Sequence, residues 1–385
     1  MPEARATSSP YPTPAEPGDT DARRISVPVT VGLVGFGLSG RVFHAPLIQS
    51  NPRLRLTHVL ERHRQESKAL YPEVKVVPRM DDLLGPDGPE LVVVTTPNDT
   101  HFDIAARSLE AGKHVVVDKP LTPTTAEAGR LIEIAEEHQT LLSVYQNRRW
   151  DGDFQTVQQV VGQGLLGRLV EYEAHFDRYR PSPKPDGWRE RAGPGAGLVY
   201  DLGSHLIDQA LLLFGIPETV TADVRIQREG SPTDDLFEIV LGYPPESSSR
   251  PAAGLKVTLK ASKLVREPGP RFLLHGTLGS FVKYGADPQE AALQAGKSPA
   301  DTEPWGVEPE AQWGTLNTEL DGRHICEKHE TRPGCYPAYY NNLCDAIRNR
   351  QTLAVTARHG LNTIRVIELA FQSSAERRTL PWSTG

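Results

Sequence analysis

The feature that most constrains the fold is a junction near the start of the chain. A β-branched apolar run, VTVGLV at 29–34, passes without a break into Gly35-Phe36-Gly37-Leu38-Ser39-Gly40. A run this apolar suits a strand buried on both faces of a parallel sheet. The G-x-G-x-x-G spacing then gives a tight turn at Gly35, close approach of a pyrophosphate at Gly37, and close helix–strand packing at Gly40. A second extended run, 54–60, ends at Glu61, 21 residues after Gly40, where a carboxylate would meet an adenosine ribose hydroxyl. Further buried runs at 91–94 and 114–117 alternate with helical stretches to about Gln146. That alternation predicts a doubly wound parallel sheet. A Rossmann-like fold binding some other ligand is the alternative.

At 385 residues the chain is long enough for two domains. We expect a tail over 1–27, a dinucleotide-binding domain over 28–148 and a substrate-binding and oligomerisation domain over 149–378. The tail is rich in Pro, Ala, Ser and Thr with no apolar core of a signal peptide, and reads as disordered. A net charge of −7 argues against a nucleic-acid or anionic-membrane partner, and no apolar run reaches the length of a membrane span. Cys326, Cys335 and Cys344, nine apart, fit neither a zinc pattern nor an even disulfide set. No metal site is expected, and the cytoplasm is the simplest compartment.

Cofactor choice is open at this level. Glu61 would repel a 2′-phosphate and suits NAD, whereas Arg62 and Arg64 would pair with one and suit NADP. Adjacent residues at a strand end point to different sides, so only one of Glu61 and Arg62 need face the ribose.

Two further stretches carry chemistry. Lys119 follows the strand at 114–117 and precedes Pro120, so its ammonium could reach a substrate oxygen beyond the strand end; a plain surface lysine is the alternative. In GAGLVYDLGSHLIDQALLLFG (195–215), Asp201, Ser204, His205, Asp208 and Gln209 fall on one helical stripe of an otherwise apolar run. Asp201 as an N-cap, His205 as a core histidine, and a water-facing stripe are competing readings. The stripe contains no Lys, Glu or Arg, the usual residues of a solvated helix face. We therefore read it as the wall of a cleft in which Asp201 and His205 meet at i, i+4 and the imidazole accepts a proton.

The motifs GFGLSGRVFHAPLI (35–48), TTPNDTH (95–101), AGKHVVVDKP (111–120) and YDLGSHLIDQ (200–209) together resemble the Gfo/Idh/MocA family of NAD(P)-dependent oxidoreductases. LLSVYQNRRWDGDF (141–154), RYRP (178–181) and WRE (188–190) bring the resemblance nearest to its NADP-dependent scyllo-inositol dehydrogenases. The resemblance spans roughly residues 28–378. It implies a C-terminal α/β domain on an open, mostly antiparallel sheet, a homo-oligomer, and a small polyol or sugar as substrate. It implies Lys119, Asp201 and His205 as the catalytic set, with Asp201 orienting the imidazole or a substrate hydroxyl. For the cofactor, NAD or NADP with a lean to NADP, it implies contacts from Gly35 to Gly40, Glu61, Arg62, Thr96, Pro97, Asn98, His101 and Asp118. Asp118 stands where the family has Glu, and Glu61 stands where the NADP enzymes tend to have Ser. Asn147, Arg149, Tyr179 and Trp188 are candidates for the substrate, although Trp188 could equally be core packing. A regulator of the same fold would not need Lys119, Asp201 and His205 together; family members acting on glycosides or on substrates such as biliverdin are a further alternative.

Three later segments complete the reading. Residues 242–254 read as a hairpin tip. Residues 285–313 form a long excursion that either covers the substrate mouth or lies loosely on the surface. Residues 356–376 read as a closing helix, and Cys344 as a core residue in a helix starting near Tyr339.

Overall fold

A computed structural model describes residues 27–183, 190–244, 252–348 and 350–382. The 1–26 tail, Trp188 and most of the 242–254 tip lie outside the described residues. Six parallel strands form the first sheet: β1 (Val29–Val34), β2 (Leu54–Leu60), β3 (Lys75–Val77), β4 (Leu91–Val94), β5 (His114–Val117) and β6 (Leu142–Val144). Their order is β3-β2-β1-β4-β5-β6. The order reverses between β1 and β4, which opens a crevice at the carboxyl ends of those strands. All four residues of β4 are buried, as expected for a central strand covered on both faces.

The second sheet has nine strands: β7 (Leu169–His175), β8 (Thr219–Arg225), β9 (Leu236–Gly242), β10 (Lys256–Ser262), β11 (Phe272–Gly276), β12 (Gly279–Lys283), β13 (Gly314–Leu320), β14 (Arg323–His329) and β15 (Leu380–Pro381). They run in the order β14-β13-β12-β11-β7-β10-β9-β8-β15, and every pairing given is antiparallel except β7 with β10. The expected α/β architecture is thus present in both sheets.

Each sheet has its own core, but the chain does not divide at one point in space. Helix Pro337–Ile347 returns to the first sheet, where Tyr339, Tyr340, Leu343 and Cys344 join the core built on β1 to β6. Tyr339 shares a 2.8 Å hydrogen bond with Ser143 of β6, and Arg53 pairs with Asp345 at 2.6 Å. The long helix Ala357–Glu376 starts with a capping box at Thr356 and serves both cores. Ile364 packs with the first, and Val366, Ile367, Leu369 and Ala370 pack with the second.

Candidate active site

The glycine loop behaves as its spacing requires. Gly35 has φ +93°, in the region that favours glycine. A Cβ on Gly40 would lie 2.5 Å from the Gly35 carbonyl oxygen and 2.9 Å from Thr95 Oγ1, so only glycine lets this turn close. A Cβ on Gly37 would meet nothing within 4 Å, and Gly37 lines an open cavity of about 1110 Å³. Gly35, Phe36, Leu38, Thr96 and Pro97 share that lining with Glu61, Arg62, His63 and Arg64, which follow β2. The cavity lies on the crevice where the strand order reverses, and its glycine rim is shaped for a phosphate group.

Glu61 does not sit free at the ribose end. Its carboxylate accepts hydrogen bonds from the backbone N–H of Glu66 (3.0 Å) and Ser67 (3.1 Å) and from the Ser67 hydroxyl. It thereby satisfies the open first turn of helix Glu66–Leu70. Arg64 pairs with Glu66 at 3.0 Å, while Arg62 has no ion-pair partner among the described residues.

The structure places three of the expected cofactor residues in other contacts. Gly40 is a buried packing position outside the cavity lining. Asn98 is buried and donates from Nδ2 to the Gly195 carbonyl at 2.7 Å, tying the TTPN turn to the loop that opens the catalytic helix. His101 is fully buried, with its ring nitrogens each 2.9 Å from a carbonyl oxygen, those of Pro120 and Thr96. It braces the two loops that border the cofactor crevice. Because the family's motif includes both residues, sequence alone could not separate a brace from a contact.

A second cavity, of about 540 Å³, adjoins the first; Leu38 and Arg41 line both. Ser39, Asp118, Lys119, Asn147, Asp201 and His205 all line it. Lys119 projects from the loop after β5, and its ammonium donates to the backbone carbonyl of Asp201 and to Asp201 Oδ1, the latter at 3.2 Å. Asp118 accepts from the Ser39 hydroxyl at 2.5 Å and from the Lys119 backbone N–H at 2.8 Å. Burial alone would raise the Asp118 carboxyl. The His44 ring 3.9 Å away, the Ser39 hydroxyl and the Lys119 ammonium outweigh burial and hold it well below the usual carboxylate range.

The polar stripe of 201–209 divides between two jobs. Its first turn, Val199–Gly203, is a wide π-type turn that continues into the α-helix Ser204–Phe214. Such turns change the angular spacing of side chains and recur at functional sites. Asp201 is consequently neither an N-cap nor a partner of His205; its carboxylate pairs with Lys119. The structure thus sets the Asp201 carboxylate on Lys119. His205 is buried, and its Nδ1 has no hydrogen-bond partner among the described residues. Burial first, then the charges of Lys119, Arg148, Arg271 and Arg178, lower its pKa well below the ordinary histidine value. The ring is thus neutral near pH 7, the state in which Nε2 can accept a proton.

Asp208 and Gln209 are structural. Asp208 accepts two hydrogen bonds from Arg149, at 2.7 Å from Nε and 2.6 Å from Nη2, and both side chains are buried. Arg149 also donates to the Ala354 carbonyl at 2.9 Å, and the structure places it outside the cavity lining. Its neighbour Arg148 lines the cavity instead, paired with Asp151 at 3.2 Å and with Glu290. Tyr179 likewise lies outside that lining. It is exposed with Arg266 stacked 4.0 Å over its ring, whereas Arg178 and Arg180 line the cavity. In extended chain, alternate residues face opposite sides, so the RYRP stretch presents its arginines rather than its tyrosine.

The 285–313 excursion is docked. Its helix Gln289–Gln294 places Glu290 and Gln294 on the cavity wall. Asp287 accepts from the Gly152 N–H at 2.7 Å, and Gln289 donates to the Trp150 carbonyl at 3.1 Å. Among the described residues, no cluster of His, Cys, Asp and Glu could hold a metal ion, and no helix is long and apolar enough to cross a membrane.

Residues 29–146 match the description "Oxidoreductase family, NAD-binding Rossmann fold", and residues 158–382 match "Oxidoreductase family, C-terminal alpha/beta domain". The chain is 41% identical over 355 residues to scyllo-inositol 2-dehydrogenase (NADP(+)) IolW of Bacillus subtilis, covering 91% of this chain and 95% of that protein. A solved chain from Bacteroides fragilis is 48% identical with a TM-score of 0.83, covering 92% and 99% of the two chains. An oxidoreductase structure from Bacillus cereus is 32% identical with a TM-score of 0.84, covering 93% and 99%. With both halves matched and the glycine loop, DKP lysine and D-x-x-x-H pair on adjoining cavities, the chain belongs to the Gfo/Idh/MocA family of oxidoreductases.

Proposed function

We propose that the protein is an NADP-dependent dehydrogenase that oxidises a secondary alcohol of a cyclic polyol or sugar, in the class of scyllo-inositol. The observation carrying this reading is that Lys119 and His205, from different domains, line one cavity that shares Leu38 and Arg41 with the glycine-loop cavity. The nicotinamide, when bound, supplies the hydride acceptor. Gly35, Gly37, Leu38, Thr96 and Pro97 would hold its dinucleotide, and Ser39 and Asp118 lie toward the reacting end. His205 Nε2 takes the hydroxyl proton, and the Lys119 ammonium, held by Asp201, donates to the same oxygen and stabilises charge developing there. Asn147 and Arg148 supply further polar contacts to the ring hydroxyls. With Glu61 engaged by its helix, Arg62 is the group available to a 2′-phosphate, which favours NADP.

A cofactor-binding regulator is the second reading, but it gives no reason to keep a neutral buried imidazole beside an anchored lysine. The test is reduced-nicotinamide formation from scyllo-inositol, myo-inositol and glucose, each with NADP and NAD. Turnover preferring NADP and lost in Lys119→Ala and His205→Ala supports the reading. Tight cofactor binding without turnover of any polyol overturns it. The reading includes a cytoplasmic homo-oligomer, which light scattering of the purified protein would check.

A further inference from the structure

The segment between β12 and β13 begins and ends in the second sheet, yet its middle reaches the first. Leu293 is buried in the core built on β1 to β6, and Trp305 packs against that core. Helix Gln289–Gln294 lies against Ser39–His44, the turn that completes the glycine loop. Buried groups hold the segment on both flanks of this helix. Before it, Asp287 accepts from the Gly152 N–H at 2.7 Å and from the Gln289 N–H at 2.8 Å. After it, Glu308 pairs with Lys283 of β12 at 2.9 Å, both side chains being out of solvent. Gln289 is fully buried, and its side-chain carbonyl accepts from Trp305 Nε1 at 2.8 Å and from the Tyr336 N–H at 2.7 Å.

Glu290, the next residue, lines the substrate-side cavity, and with 25% of its side chain exposed the carboxylate can be reached. Arg148 donates to it from Nη2, and Gln294 donates from Nε2 at 2.9 Å, one to each carboxylate oxygen. Each oxygen keeps a second lone pair, so these contacts fix the group and leave it able to accept more. Burial alone would raise the Glu290 carboxyl; Arg148, Arg178 and Lys119 outweigh burial and hold it below the usual range. It is therefore ionised and can only accept. Lys119, whose charge is felt at Glu290, is also the lysine placed on the reacting oxygen. An acceptor at this point selects what lies beside it. A substrate carboxylate or phosphate would be repelled, and a methylene would leave a half-buried charge unsatisfied, whereas a hydroxyl donates to it.

Resting on the polyol-dehydrogenase reading, we propose that Glu290 is a specificity-determining residue: a hydroxyl close to the reacting carbinol donates to its carboxylate, which the docked segment holds in place. Glu290 takes no part in hydride or proton transfer. It fixes which carbinol of a neutral polyol meets Lys119 and His205.

The experiment measures kcat and KM with NADP for myo-inositol, glucose and their singly deoxygenated analogues, in the unaltered protein, Glu290→Gln and Glu290→Leu. In the unaltered protein at least one analogue should lose about tenfold or more in kcat/KM, mainly through KM. Glu290→Leu should lower kcat/KM for the parent polyol towards that of the same analogue, while the ratios for the other analogues persist. Glu290→Gln keeps the shape and one acceptor and should show a smaller loss of the same pattern. It gives the answer if thermal melting shows that the leucine variant does not fold. NADP affinity, titrated calorimetrically, should be unchanged in both. The inference is overturned by equal treatment of all analogues in the unaltered protein, or by discrimination that the substitutions leave intact. A uniform loss on every analogue, or weakened NADP binding, overturns it too, since either marks a purely structural residue. In each of these cases polyol turnover by the unaltered protein leaves the dehydrogenase reading standing. If neither parent polyol is turned over, that reading fails and this inference with it.

Discussion

Asp201 and His205 stand four residues apart yet serve different partners, and the chemistry depends on that separation. Asp201 fixes the Lys119 ammonium, while burial and surrounding cations keep His205 neutral. The ribose end shows the same division between neighbours: Glu61 caps a helix and Arg62 faces the cavity. Arg62→Ala should therefore lower kcat/KM with NADP by roughly one to two decades, the worth of a charge-assisted contact of about 1.5–3 kcal/mol, and leave NAD nearly unaffected. Steady-state kinetics with both cofactors would show this, and equal losses with NAD and NADP would count against the assignment. At this scale Lys119, Asp201 and His205, read together from the sequence, line one cavity. Their side-chain partners were not legible there. Whether 148 or 149, and whether 178, 179 or 180, faces the cleft depends on a turn and a strand parity that spacing alone leaves undetermined.

At the scale of elements, the wide turn at Val199–Gly203 positions the site, and Asp234 holds its start. The Val199 N–H donates to Asp234 Oδ2 at 2.8 Å, and the Leu198 N–H donates to the Asp234 carbonyl at 3.1 Å. Gly197 has φ +96°, and a Cβ there would fall 1.8 Å from Asp234 Oδ1. Gly197→Ala should thus displace the turn, costing at least about 1 kcal/mol of stability and more activity than that loss explains. Melting curves and kcat together would reveal it. Burial pushes the Asp234 carboxyl up to about 6, above its unfolded value of about 4. The folded state then holds a proton that the unfolded chain has released. That contribution to stability is full below pH 4 and is lost as pH rises through 6. In Asp234→Asn, the fall in melting temperature between pH 4 and 6 should be shallower. The buried Arg149–Asp208 pair joins the catalytic helix to the turn after β6. Arg149→Met should cost about 3–5 kcal/mol, since it strands a buried carboxylate. Chemical denaturation measures this, and an unchanged midpoint with a raised KM would restore Arg149 to the substrate.

At the scale of the whole molecule, the order of the chain and the order of its cores differ. The strand–helix alternation up to Gln146 made the first sheet legible, because a glycine loop after a buried strand leaves few other folds. The return of helix Pro337–Ile347 to that sheet was not legible, since its apolar face would suit either core. Nor could the sequence tell that 285–313 docks on the cavity, because the tie is made by Asp287, Gln289 and Glu290 to residues more than a hundred positions away. With helix Ala357–Glu376 shared by both cores, calorimetry should show one cooperative unfolding transition; two separated transitions would contradict the stitching. The lowered pKa of His205 is itself a property of the whole, made first by burial, then by Lys119 from the first sheet and by Arg148, Arg271 and Arg178 beyond it. The most direct measurement is kcat/KM for polyol oxidation as a function of pH, in the unaltered protein and in His205→Ala. The account predicts an acidic limb well below pH 6.5 and, in the variant, a loss of about 10²–10⁴-fold with that limb gone. An acidic limb at or above 6.5 that survives in His205→Ala, or a variant with undiminished turnover, would contradict it.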